Sequence, residues 1–274
     1  MSLVVRALAA LALGLLAQAM APAAPVSAAL PAGDHKGSGP APGWGWETVF
    51  LDGFDGAAGT APEQWNTMLG MNGATQNGSG QLDVGQAAQI RTNVGWSLPP
   101  GTQVRVTASL LMPDTSANYA AFWVQHPNGD DPRELDVIES YGPFKSTGAQ
   151  LGSHICYDDT PETAVNACVA TGRGPELWPV THAFPAGAEP WNAYWAYSGE
   201  FTIGGDSVLF SASDAEGNRI YESGLLPDVR RVPSNTVPFH LRLSNKDVLP
   251  ENVVLGGVRR DMLVDWVRVD VKYP

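Results

Sequence analysis

The sequence predicts an all-β chain of two packed antiparallel sheets, and three observations carry that prediction. Several segments alternate apolar and polar residues at period two, the mark of strands with one buried face. Glycine (30) and proline (22) are abundant, while charged residues make up only 16% of the 274; that composition suits short strands and turns better than helices. Beyond the N-terminal stretch no run of apolar residues keeps a helical spacing, so strands must build the core.

The first 28 residues read as a secretory signal. Arg6 precedes an apolar stretch too short to span a bilayer comfortably, and Val26-Ser27-Ala28 offers a small-residue cleavage site. Residues 29–43, rich in Gly, Pro and Ala, read as a flexible leader. Residues 44–274 then form a single domain, since no second linker or repeat interrupts them. Within it, Val104, Val106, Ala108 and Leu110 share one side of a strand. Val267, Val269 and Val271 likewise oppose Trp266, Arg268 and Asp270. Phe201–Ala212 and Val237–Leu243 alternate similarly, with Gly204-Gly205-Asp206 and Glu216-Gly217-Asn218 as turns.

Charge narrows the partners. The net charge is −12, and loss of Arg6 with the signal makes it −13. Such a surface repels nucleic acid and anionic lipid. No Lys/Arg cluster stands out along the sequence, which favours a neutral glycan over a sulfated or uronate-rich one. Cys156 and Cys168 are the only cysteines, and in an oxidising compartment they are expected to staple a loop. No His or Cys grouping has metal-ligand spacing, so neither a catalytic metal nor another required cofactor is expected.

The chemistry concentrates in Glu134-Leu135-Asp136-Val137-Ile138-Glu139-Ser140-Tyr141-Gly142. Three carboxylates on an otherwise apolar strand are costly unless a cleft hydrates them or a reaction uses them. A regular strand puts Glu134 and Asp136 on one face and Glu139 on the other. One bulge between Asp136 and Glu139 absorbs the extra residue and returns Glu139 to the same side. Two carboxyls about 5 Å apart suit a covalent glycosyl intermediate, whereas inversion needs a wider gap. At that distance they repel by roughly 3 kcal/mol at an effective dielectric of about 20, which keeps one protonated as an acid and the other ionised as a nucleophile.

Four landmarks then resemble, in the right order, the family 16 glycoside hydrolases. Phe50-Leu51-Asp52-Gly53-Phe54-Asp55-Gly56 with Trp65-Asn66 is similar to the opening strand, and Ala120-Ala121-Phe122-Trp123-Val124 to the strand before the catalytic one. Glu134–Glu139 is similar to the bulged signature of the laminarinase and agarase branches, and Asp261–Val269 to the closing strand. One departure is Trp191-Asn192-Ala193-Tyr194-Trp195, where many members carry His-x-Tyr.

The resemblance implies a concanavalin-like β-jelly-roll with a concave glycan-binding cleft. It also implies a secreted, monomeric, endo-acting retaining hydrolase that degrades a polysaccharide, with no membrane or nucleic-acid partner. Glu134 would be the nucleophile, Glu139 the acid/base and Asp136 the residue that orients Glu134. Trp123 and Tyr141 are the aromatic candidates for substrate binding, and His154 falls where members often carry a cleft histidine. Trp266 reads as a packing residue. The resemblance allows a structural calcium on the convex side, with Asp265 as its candidate. A β-1,3-glucan is the leading substrate, and a β-galactan such as agarose is next. The competing readings are a non-hydrolytic, lectin-like jelly-roll and a structural wall protein; the carboxylate triad argues against the first, and the lack of repeats or an anchor against the second.

Overall fold

The structure, a computed structural model, describes residues 41–114, 118–126, 134–142, 151–156, 176–177, 184–205, 207–227, 233, 237–247 and 261–274. The expected signal segment, most of the leader and Cys168 lie outside the described residues, as does the side chain of Cys156. The described residues all fall in one compact unit.

Alternating valines, leucines and alanines with polar residues between them make strands with one wettable face. Such strands are what the chain forms, in two antiparallel sheets, and no helix occurs among the described residues. One sheet holds β1 (Glu47–Asp52), β3 (Thr75–Gln76), β4 (Leu82–Val84), β6 (Gln103–Leu111), β11 (Trp195–Thr202), β12 (Ser207–Ser213), β13 (Arg219–Pro227) and β15 (Met262–Lys272). It runs β13-β12-β11-β6-β15-β4-β3, with β1 also paired to the long β15. The other holds β2 (Trp65–Thr67), β5 (Ala88–Thr92), β7 (Asn118–Gln125), β8 (Glu134–Ser140), β9 (Leu151–Cys156), β10 (Glu176–Leu177) and β14 (His240–Asp247). Its order is β10-β9-β8-β7-β14-β5-β2.

The inner faces meet in one core. Val104, Val106, Ala108 and Leu110 of β6 and Val267, Val269 and Val271 of β15 join it, as their alternation predicts. Leu135, Val137 and Ile138 of β8 join it from the other sheet. The sheets come closest under β8, where Gly199 of β11 lies against it. A Cβ on Gly199 would sit 3.2 Å from Val137 Cγ2 and 3.3 Å from Leu135 Cδ2, so a hydrogen side chain lets the carboxylate strand seat fully.

The opening landmark acts as a clasp. Asp52 accepts hydrogen bonds from the Phe54 amide and the Trp65 indole, both at 2.9 Å. These fix the end of β1 to β2 and hold buried Phe54 at a left-handed φ of 54°. The departing segment is structural. The Tyr194 hydroxyl accepts from Gln81 at 2.7 Å, and Trp195 stacks edge-on against Phe184 in the core.

Candidate active site

The expected bulge is present. Against β9, Asp136 pairs with His154 but Glu139 pairs with Gly152, so three residues of β8 oppose two of β9 over that step. Against β7, the shift falls between Phe122 and Trp123. Consecutive Val137 and Ile138 both turn into the core as a result, and Glu139 returns to the face of Glu134 and Asp136. The bulge leaves the Val137 carbonyl off the ladder, and the Ser153 hydroxyl donates to it at 2.6 Å. That bond holds the kink in place.

On the outward face the three carboxyls gather a polar cage. Gln125 donates to Glu134 at 3.0 Å. Tyr119 and Tyr141 both donate to Glu139, the latter at 3.1 Å, and His154 Nδ1 pairs with the same carboxylate. One oxygen each of Asp136 and Glu139 and one His154 nitrogen lie within 4.8 Å of one another. Tyr141 and His154, the candidates for substrate binding, both contact the Glu139 carboxylate.

The titration order separates the roles. Burial, then the charge of Glu139, raises Glu134 above the ordinary carboxylate range, while Lys246 and Arg242 oppose that shift. Asp136, only 3% exposed, is raised well above it by burial, then by Glu139 and Glu134. The hydrogen bond between Asp136 and Glu134 raises the first and lowers the second. Between these two groups, that bond favours the proton on Asp136, with Glu134 accepting. Burial, then Glu139, raises both tyrosine hydroxyls, which keeps them as donors.

Burying these acids costs stability in a pH-dependent way. Both Glu134 and Asp136 have folded pKa values above their unfolded ones. Their favourable contribution is complete below the ordinary carboxylate range and is lost as pH rises through the folded values. The melting temperature is therefore expected to fall from this source as pH rises from the ordinary carboxylate range, about pH 4, through the raised folded values. Asp136→Asn, which keeps a donor towards Glu134 but cannot ionise, should raise Tm at neutral pH by a few degrees and flatten that slope. Calorimetry across the pH range checks it.

Trp123 reaches the expected face and is 6% exposed. Its indole donates to Ser244 at 3.2 Å, and the cations of Arg242 and Lys246 lie 4.7 and 5.7 Å from its ring centre. The ring carries these two cations. Asp265 is buried at the irregularity of β15 between Val264 and Trp266. Among the described residues it belongs to no convergent group of three acidic, His or Cys ligands. Trp266 is buried on the outward face of its sheet with the Arg268 guanidinium 5.3 Å from its ring centre, a packing role.

The sequence reading missed Tyr119, Gln125, Arg91, Arg242 and Lys246. Tyr119 and Gln125 were within reach, because residues 119, 121, 123 and 125 share a face of β7 at period two. The cations were not, since Arg91 and Arg242 lie 151 positions apart and meet only through the pairing of β5 with β14.

No family model matches the sequence, and no curated protein matches it. Solved structures do match its fold. An endo-1,3-β-glucanase from Streptomyces sioyaensis is 20% identical with a TM-score of 0.61, over 86% of this chain and 100% of that one. β-Agarase A from Zobellia galactanivorans is 16% identical with a TM-score of 0.57, over 85% and 96%. A family 16 glycosyl hydrolase from Mycobacterium smegmatis is 20% identical with a TM-score of 0.52, over 81% and 100%. All-β architecture in two antiparallel sheets, with jelly-roll neighbours, is thus the fold of this chain.

Proposed function

We propose that this chain is a family 16 glycoside hydrolase, secreted, that cuts internal β-glycosidic bonds of a polysaccharide with retention of configuration. The observation that carries the reading is the one-residue bulge that sets Glu134, Asp136 and Glu139 on one outward face. Glu134 attacks the anomeric carbon while Glu139 gives its proton to the departing glycosidic oxygen, leaving a glycosyl ester on Glu134. Glu139 then takes a proton from water, which attacks the same carbon and frees Glu134. Asp136 orients Glu134 through their shared proton. Tyr119, Tyr141 and His154 hold the Glu139 carboxylate in position.

The backbone first in line is a β-1,3-glucan, with a β-galactan next; the activities of the structurally similar glucanase and agarase support that pair. Incubation with laminarin, lichenan and agarose, read by oligosaccharide analysis and by proton NMR of the first product, tests the reading. We expect internal cleavage with a β-anomer appearing first. A first-formed α-anomer would refute the mechanism. Retardation by a glycan in affinity electrophoresis, with no product over long incubation, would point to a lectin-like binder.

A further inference from the structure

One register row crosses the outward face of the seven-stranded sheet. It runs Asn66, Arg91, Arg242, Trp123, Asp136, His154, each directly opposite the next. The two arginines sit side by side within it, and Lys246, two positions past Ser244 on the same face of β14, lies near the same indole. Like charges directly opposite on neighbouring strands destabilise a sheet. Burial, and after it the repulsion of Arg91, brings the pKa of Arg242 down to about 10 against the opposing attraction of Glu134.

Among the described residues, Arg91, Arg242 and Lys246 form no ion pair within 4.0 Å. On the opposite sheet Arg105 pairs with Glu200, Arg219 with Glu200 and Glu222, and Arg268 with Asp270. Arg242 is only 5% exposed, its guanidinium held over Trp123 and reaching the His126 carbonyl at 3.4 Å, and its Nε has no hydrogen-bond partner. Attraction to Glu134 accounts in part for Arg242 and Lys246. It does not account for Arg91, whose neighbours Arg242 and His240 are basic and sense it as repulsion.

We propose that Arg91, Arg242 and Lys246 form a subsite for an anionic substituent, a sulfate ester or a carboxylate, on the glycan that this face cuts. The proposal rests on the glycosidase reading above and narrows its substrate class. Arg91 stands three strand spacings from Asp136, about 14 Å along the row. A glycan laid along the row would thus place a neighbouring sugar, not the one being cleaved, against the arginines. A guanidinium fork grips sulfate or carboxylate through paired N–H donors. The acidic surface elsewhere does not prevent this, because charges more than about 8–10 Å away are largely screened at physiological salt. The apparent lack of a basic cluster in the sequence came from reading along the chain instead of across the sheet.

The test compares kcat/KM of the full secreted protein on carrageenan (sulfated), hyaluronan (carboxylated), laminarin and agarose (both neutral). One of the anionic chains is expected to be cut best, and which one identifies the substituent. Arg91→Gln should lower kcat/KM on that chain by about 10- to 100-fold, mainly through KM, with partial rescue in Arg91→Lys. Circular dichroism and thermal unfolding confirm the fold of each variant. A neutral chain cut best, with Arg91→Gln changing neutral and anionic substrates alike, overturns the subsite while leaving the hydrolase reading intact. If no chain is cut, affinity electrophoresis decides. Retardation by carrageenan or hyaluronan that Arg91→Gln abolishes upholds the subsite though the hydrolase reading fails, and no retardation overturns both.

Discussion

Glu134→Gln is expected to lower kcat on the preferred polysaccharide by on the order of 10⁴-fold or more, as loss of a covalent nucleophile does. The substitution keeps the shape of the side chain and its contact with Gln125, so the fold should survive. It also removes one of the charges that push Asp136 upward, which should leave the variant at least as stable as the parent. Lost activity with an unchanged or higher Tm is the signature expected of a residue held in place for chemistry at the expense of stability. A fluorinated glycoside that traps the covalent intermediate should label Glu134 in the parent, and peptide mass mapping reads the site. Label on Glu139 or Asp136 instead would reassign the nucleophile. A Glu134→Gln variant that cuts within tenfold of the parent would remove the double-displacement mechanism altogether.

The legible part of this molecule was what local pattern determines. Period-two alternation located β6, β14 and β15, because a strand with one buried face must place every second side chain in the core. The spacing of Glu134, Asp136 and Glu139 predicted the bulge, since no regular strand lets all three avoid the interior. The row of cations was illegible for the converse reason. Arg91, Trp123 and Arg242 are adjacent only through strand order, and strand order in a sandwich is decided by which hydrophobic faces pair over long loops, not by neighbours in sequence. Trp123 shows the same limit at one residue. Its position on the face followed from the sequence, but the cations covering its ring come from β14, 119 and 123 residues further on.

Glu139→Gln separates the two halves of the reaction and tests the electrostatics as well. Without an acid, cleavage of a natural glycan should fall by about 10²- to 10⁴-fold. A substrate whose leaving group needs no proton, such as a dinitrophenyl glycoside, should still glycosylate Glu134, giving a burst followed by slow turnover. The pH profile of that burst carries a second outcome. Glu134 must be ionised to attack while Glu139 keeps its proton to act as the acid, so Glu134 titrates first. Glu139 is then neutral where Glu134 ionises, and the acid limb of the burst should stay in place in Glu139→Gln. The two hydroxyls and the imidazole around Glu139 would then face a neutral amide, so the variant should also lose any rate decline that reports loss of the acid's proton at high pH. An acid limb that moves to lower pH in Glu139→Gln would mean that Glu139 is already charged where Glu134 titrates, and it could not then serve as the acid.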